Sequence, residues 1–287
     1  MVSIFKKEIR AYFTQMTGYL FLMFMILLTG IYFALYCVYA QSPQYQAVLS
    51  GVTIVFFIMI PTLTMRLFAE EVRHKTDQLL YTSPLSVGKI VIGKFLAATA
   101  LFLFGLLITG LFPLLLSRYG SLPTGQIMGA FFGFFLLGAS FIAVGLFISV
   151  LTDNQIISAV ATFAVLFVFF MMDFIAISMP ATTLASLVFL ALIILGVAFV
   201  MYNSTKNVFA AAAVALVGFL AAGGIYLYNN LIFDGFIIKT LQWFSLYSRY
   251  GYFVNGIMNT SDVVYYVTFA LVFIYLTVNV IEKRRWR

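Results

Sequence analysis

Charged side chains are scarce in this sequence: they make up 9% of its 287 residues, where a soluble domain carries about 25%. Nine acids and sixteen bases cannot clothe such a chain in a polar exterior when 64% of its positions are hydrophobic. A water-soluble globule is therefore excluded, and lipid must cover much of the surface. Cysteine and histidine occur once each, as Cys37 and His74. That excludes a disulfide within the chain and any Cys/His metal cluster, so no metal site is expected. No acid, base and nucleophile converge along the sequence, which is not read as an enzyme by itself. The net charge of +7 would suggest nucleic acid in a soluble protein, but these bases stand in short clusters beside apolar runs. There they act as topology signals, and no nucleic-acid partner is expected.

Long apolar runs are what the sequence has in abundance. Hydropathy marks eight: Gly18–Tyr39, Leu49–Phe68, Ile90–Leu116, Gln126–Leu151, Ile156–Ser178, Leu184–Tyr202, Val208–Tyr228 and Val263–Ile281. The first holds 22 residues, about 33 Å as a helix and enough for a hydrocarbon core of about 30 Å. Lys6, Lys7 and Arg10 precede it as in a secretory signal, but its length makes it an anchor. The predicted fold is an all-α integral membrane protein of about eight transmembrane helices. Residues 1–17 form an amphipathic interfacial helix, 18–281 the transmembrane domain, and 282–287 a basic tail.

With the N-terminus in the cytoplasm, thirteen of the sixteen Lys and Arg residues fall on the inner side, and only Arg118, Lys239 and Arg249 lie outside. Inner loops carry that bias, so both termini are read as cytoplasmic and the protein as a multi-pass component of the cell membrane. Ahead of the first span, Phe5, Ile9, Tyr12, Phe13 and Met16 recur at helical spacing, with Lys6, Lys7, Arg10 and Thr14 elsewhere on the wheel. Gly129, Gly133, Gly138 and Gly145 form one small-residue face, and Ala211, Ala215, Gly218 and Ala222 another. Such faces allow close helix packing in lipid, within the chain or against a second copy. Pro61 and Pro113 predict bends inside spans.

The most informative segment, 69–89, joins the second and third spans. A charged first half closed by Leu79 and Leu80 predicts an amphipathic helix, and Ser83 with Pro84 supplies an N-cap and first helical residue for a restart. The result is a helix–break–helix elbow on the cytoplasmic face, more elaborate than a plain connector requires.

Met65-Arg66 through Glu70-Glu71, Leu79-Leu80, Ser83-Pro84, Ser86 and Gly93-Lys94-Phe95 resemble the signature of type-2 ABC exporter permeases. The resemblance is greatest to the gliding-motility and nitrous-oxide-reductase-maturation branch. Lys7-Glu8-Ile9-Arg10-Ala11-Tyr12-Phe13, Thr152-Asp153-Asn154-Gln155, and Gly256 with Asp262-Val263-Val264-Tyr265-Tyr266 agree with it in order along the chain. Two features depart from the branch. Lys75-Thr76-Asp77-Gln78 stands where it carries Gly-Thr-x-Glu, and Met179–Tyr228 adds two spans to its usual six.

The resemblance implies a permease subunit of a bacterial exporter, driven by ATP and Mg bound on a separate ABC ATPase dimer. It further implies a second permease copy or homologue, contact with membrane lipid, and room for an accessory extracellular subunit. The 69–89 loop would be a coupling helix docked in an ATPase groove, through Glu70, Glu71, Arg73, Thr76, Leu79, Leu80 and Pro84. The outer aromatic connection at 229–261, a headgroup-level belt by composition, would become a partly embedded gate. The competing classes are a secondary transporter or channel, which needs ionisable groups within the membrane, and a membrane anchor for an extracellular complex.

Asp173 is the one acid deep within an apolar run, where a carboxylate costs about 2.5–3.5 kcal/mol at mid-bilayer. Substrate or cation contact, a structural pair with an outer base such as Arg249, and simple interfacial exposure all remain open. Gly88 to Phe95 nearly matches the Gly-x4-Gly-Lys-Ser/Thr phosphate pattern, but Phe95 replaces the hydroxyl and no strand precedes it. Lys89 and Lys94 are therefore read as lysines snorkelling at a membrane boundary, and no cofactor is expected in this chain. Asp153 with Asn154 reads as a helix cap.

Overall fold

The computed structural model describes the chain apart from residues 74, 76–84, 119, 229–232 and 286–287, and apart from the side chains of 204, 205, 211, 222, 225, 227 and 228. Every regular element among the described residues is helical. In chain order these are α1 Val2–Thr14, α2 Met16–Phe33 extended by a π-helical stretch Ala34–Tyr39, α3 Tyr45–Val52, α4 Phe56–Thr64 and α5 Ala69–Arg73. There follow α6 Val87–Thr109, α7 Leu111–Leu116, α8 Thr124–Leu151, α9 Gln155–Ser178, α10 Thr183–Thr205 and α11 Val208–Tyr228. The series closes with α12 Phe236–Phe244, α13 Leu246–Val254 and α14 Thr260–Arg285.

Among the described residues seven helical runs are long and apolar enough to cross a bilayer: Met16–Tyr39, Tyr45–Arg73, Val87–Leu116, Thr124–Leu151, Gln155–Ser178, Thr183–Asn203 and Thr260–Arg285. Each coincides with an expected span, with no end shifted by more than five residues. The eighth expected span is the helix α11, whose described apolar stretch is the shorter Val208–Ala221. The chain is an all-α, multi-pass integral membrane protein.

It divides into two compact units, Met1–Val168 with Leu246–Arg287, and Phe169–Ser245. The first is built around α8, the most enclosed of its spans. In lipid, helices associate through packing and hydrogen bonds because hydrocarbon surrounds both partner and non-partner surfaces. The glycine face of α8 shows how that contact is made. A Cβ on Gly133 would lie 2.6 Å from Cβ of Phe253 on α13, one on Gly138 would overlap the Phe102 ring on α6, and one on Gly145 would overlap Thr64 on α4. These glycines therefore seat neighbouring spans of the same chain. Phe56 fills the space between them, its ring 4.5 Å from that of Phe134 and 5.7 Å from that of Phe102.

Proline sets a break in the third span. Pro113 has no N–H to offer the Thr109 carbonyl four residues earlier, and the helix divides at Gly110 into α6 and α7. The buried Tyr45 hydroxyl donates to the freed Thr109 oxygen at 3.0 Å. A backbone carbonyl within an apolar span is thus satisfied by a side chain of the preceding span. Pro61 lies within α4, just after the 3-10 turn Thr53–Val55.

In the second unit α10 packs along α11, where Gly218 admits Ile194: a Cβ at Gly218 would stand 2.9 Å from Ile194 Cγ2. The α10 start is capped by the Thr182 hydroxyl, which accepts from the Ala185 N–H, while Thr183 donates to Asp234 at 2.5 Å. The aromatic connection expected at 229–261 is partly helical, as α12 and α13. Its aromatic residues divide in use: Tyr250 and Phe253 enter the core of the first unit, whereas Trp243, Phe244 and Tyr252 are exposed.

Candidate coupling site

The second span does not run straight into the 69–89 loop. Between Thr64 and Ala69 the helix breaks into turns, leaving backbone groups without their intrahelical partners. Three elements supply replacements. Tyr12 on α1 donates to the Leu63 carbonyl at 3.3 Å, and burial, with Glu8 adding to it, pushes its hydroxyl well above the ordinary tyrosine value, so it stays a donor. Ser149 on α8 accepts from the N–H groups of Phe68 and Ala69 at 3.0 and 3.2 Å and lies 3.3 Å from the Met65 oxygen. Lys94 on α6 donates to the Leu67 oxygen at 2.5 Å.

Lys94 is the hub of a wider network. Its side chain is 2% exposed, and its ammonium pairs with Glu8 at 3.0 Å and Glu71 at 2.9 Å while lying 4.9 Å from the centre of the Phe68 ring. Lys7 joins Glu71 from the outside at 3.3 Å, and Arg66 bridges Glu70 at 3.7 Å and Thr17 at 2.5 Å. Three bases and three acids thus balance one another across α1, the broken end of span two, α5 and α6. A buried ammonium is tolerable only with such partners, because the desolvation cost falls on whichever charge is left alone. Separating these elements would expose an uncompensated charge, so the network makes them one mechanical body.

A family model described as ABC-2 family transporter protein matches residues 38–188, just over half of the chain. The chain belongs to this family. No curated protein and no solved structure matches it. It is thus an ABC transporter permease, a transmembrane transport component, and the matched region contains both the 69–89 loop and the ion-pair network at its base.

In this ABC-2 permease the residues expected at the coupling loop fall into two groups. Glu70, Glu71 and Arg73 lie on α5, the first two in the network and Arg73 exposed. Thr76, Leu79, Leu80 and Pro84 lie outside the described residues, as do His74 and the expected Ser83 break. Asp173 sits on α9 half-buried, within hydrogen-bonding reach of Ser245. Arg249, named as one possible partner for it, pairs with Asp262 at 2.7 Å and lies 3.9 Å over the Tyr265 ring.

Two expectations are corrected. Lys89 is exposed, but Lys94 does not snorkel; it points into the protein because two carboxylates and a free carbonyl wait there. The face of α1 turned to the protein is Ile4, Glu8 and Tyr12, while Phe13 and Met16 of the expected apolar face are exposed, as a face turned to lipid would be. Gly93 admits Ile4 there, with a Cβ placed 3.1 Å from Ile4 Cγ2. The helix cap at α9 is Asn154, which accepts from the Ile156 N–H at 2.9 Å, while Asp153 is exposed. Sequence reasoning did not join Glu8, Tyr12 and Lys94 into one network, and Ser149 it did not name at all. Lys94 did carry a signal: it falls on the stripe Ile90, Val91, Ala97, Ala98 and Leu101, all buried, where a lone cation demands a partner.

Proposed function

We propose that this permease is the membrane half of an ATP-driven exporter in a bacterial cell membrane, with both termini cytoplasmic. It works beside a second permease copy or homologue above a cytoplasmic ABC ATPase dimer, which holds ATP and Mg and carries out hydrolysis. The reading follows the family, the thirteen-to-three distribution of bases, and the resemblance to the gliding-motility and nitrous-oxide-reductase-maturation branch. The observation that carries it is Lys94. Its pairs to Glu8 and Glu71 fasten the loop's first helix to α1 and α6. Force applied by a partner at 69–89 would therefore reach spans one, two and three together, whereas a free tail would lose it in its own conformational freedom.

Substituting Leu79 and Leu80 together with Asp tests this. Charge placed where an ATPase groove buries apolar side chains opposes docking. Co-purification of the ATPase, or coupled transport in reconstituted membranes, should fall at least tenfold while membrane insertion is retained. Normal assembly with normal coupling would refute the contact.

A further inference from the structure

At the far end of the first span from Lys94, the helix changes to the wider π-helical turn Ala34–Tyr39, a feature that recurs at functional sites. Tyr36 on this turn stacks on Tyr32, with ring planes 6° apart and centres at 6.0 Å. The missing Cβ of Gly51 is what lets the Tyr32 ring lie against α3, since a Cβ there would stand 2.5 Å from it. Beside this stack opens a cavity of about 450 Å³, lined with Tyr36, Gln44, Gln46, Ser50, Tyr247 and Asn255 among others. Its volume falls in the range of small-molecule sites, about 300–1,000 Å³.

Polar side chains share the lining with Ala47, Gly51 and Val254, and none of the lining residues is charged. Tyr36, Gln44 and Asn255 are exposed at the rim. Gln46 is 8% exposed, and its Nε2 donates to Gln126 Oε1 at 2.9 Å. Its own Oε1 accepts no hydrogen bond among the described residues. A buried acceptor without a donor is unfavourable, and a ligand hydroxyl or amide would relieve it. An ion finds no countercharge here, and an acyl chain would strand the amides. Amides to exchange paired hydrogen bonds with hydroxyls, and tyrosine faces for the apolar side of a ring, suit a sugar.

We infer that this cavity binds a neutral polyhydroxylated ligand, either a soluble sugar or the sugar headgroup of a lipid. The inference rests on the exporter proposal only for what the ligand is for, as a molecule the permease handles.

The test uses the full-length permease in nanodiscs of phosphatidylethanolamine and phosphatidylglycerol, prepared without sugar detergents. Maltose and dodecyl maltoside are titrated separately, with binding read by native mass spectrometry. Saturable binding is expected, weakened at least tenfold by Gln46→Leu and about three- to tenfold by Asn255→Ala. The second variant changes only an exposed rim residue, so it reports on the site if the first disturbs folding through Gln126. Variant-sensitive binding of both probes identifies a soluble sugar as sufficient, and of dodecyl maltoside alone a lipid-linked one. Failure of both probes to bind, or binding that neither variant weakens, overturns the inference. Neither measurement needs the ATPase, so failure here leaves the outcome of the Leu79 and Leu80 substitution untouched, and the reverse also holds.

Discussion

Lys94 and Glu8 stand 86 residues apart in the sequence and meet at 3.0 Å, with the Glu71 carboxylate 2.9 Å from the same ammonium. Replacing Lys94 alone with Met would take the ammonium from Glu8 and leave Glu71 with Lys7 alone, in a largely buried site. Breaking a buried pair from one side costs about 3–5 kcal/mol, whereas replacing all members with apolar or neutral groups is often nearly neutral. Lys94→Met should therefore sharply lower the thermal unfolding temperature in nanodiscs, and the combination with Glu8→Leu and Glu71→Gln should recover most of it. Under the exporter proposal the recovered triple variant should still hydrolyse ATP with its partner yet transport poorly. Full stability of Lys94→Met alone would show that the network does not hold these helices together.

The Tyr45 hydroxyl and the carbonyl freed by Pro113 make a second dependent pair, at 3.0 Å. Side-chain hydrogen bonds between membrane helices average about 0.6 kcal/mol and reach about 1.7. Tyr45→Phe should destabilise the protein within that range. In a Pro113→Ala background, where residue 113 gains an N–H able to bond Thr109, the same change should cost less. Equal costs in the two backgrounds, measured by reversible unfolding in detergent, would show that the proline does not create the need for the tyrosine.

What the sequence made legible was the part governed by hydropathy and local spacing. Seven apolar runs became spans, Pro113 marked a real break, and a charged helix begins at Ala69. What it hid depended on which residues meet across the fold. Glu8 stood only within a stretch that resembles the family, and Lys94 looked like a boundary lysine, because each is plausible alone and only their meeting makes burial favourable. The turn at Met65–Phe68 was equally hidden: its residues are ordinary helix formers, and the groups that stabilise the break, Tyr12, Ser149 and Lys94, come from three other helices. The pairing of Arg249 with Asp262 was hidden for the same reason, since apolar runs do not indicate which charges meet.

The glycine face of α8 yields a size-dependent prediction. A side chain at Gly138 overlaps Phe102, and overpacking of a close-packed interior costs about 1–3 kcal/mol. Gly138→Val should lower the yield of folded monodisperse protein, and Phe102→Ala in the same chain should restore part of it by vacating the space. Rescue would place the defect inside the chain. Loss of permease pairing with an intact fold, measured by cross-linking in membranes, would instead assign this face to a second copy.

Asp173 separates two roles that its place on α9 leaves open. Its neighbour Ser245 is buried and belongs to the same unit of the chain. Asp173→Asn removes the charge but keeps an oxygen for that hydroxyl, whereas Ser245→Ala keeps the charge and removes the hydrogen bond. If Asp173 meets cargo, the Asn variant should change cargo-stimulated ATP turnover about tenfold with assembly and basal turnover intact, and Ser245→Ala should have the smaller effect. If the carboxylate serves the fold, both variants should reduce assembly before any transport step is reached. If both variants behave like the unaltered protein in assembly and turnover, Asp173 is only an acid at the membrane boundary, where water access offsets the cost of its charge.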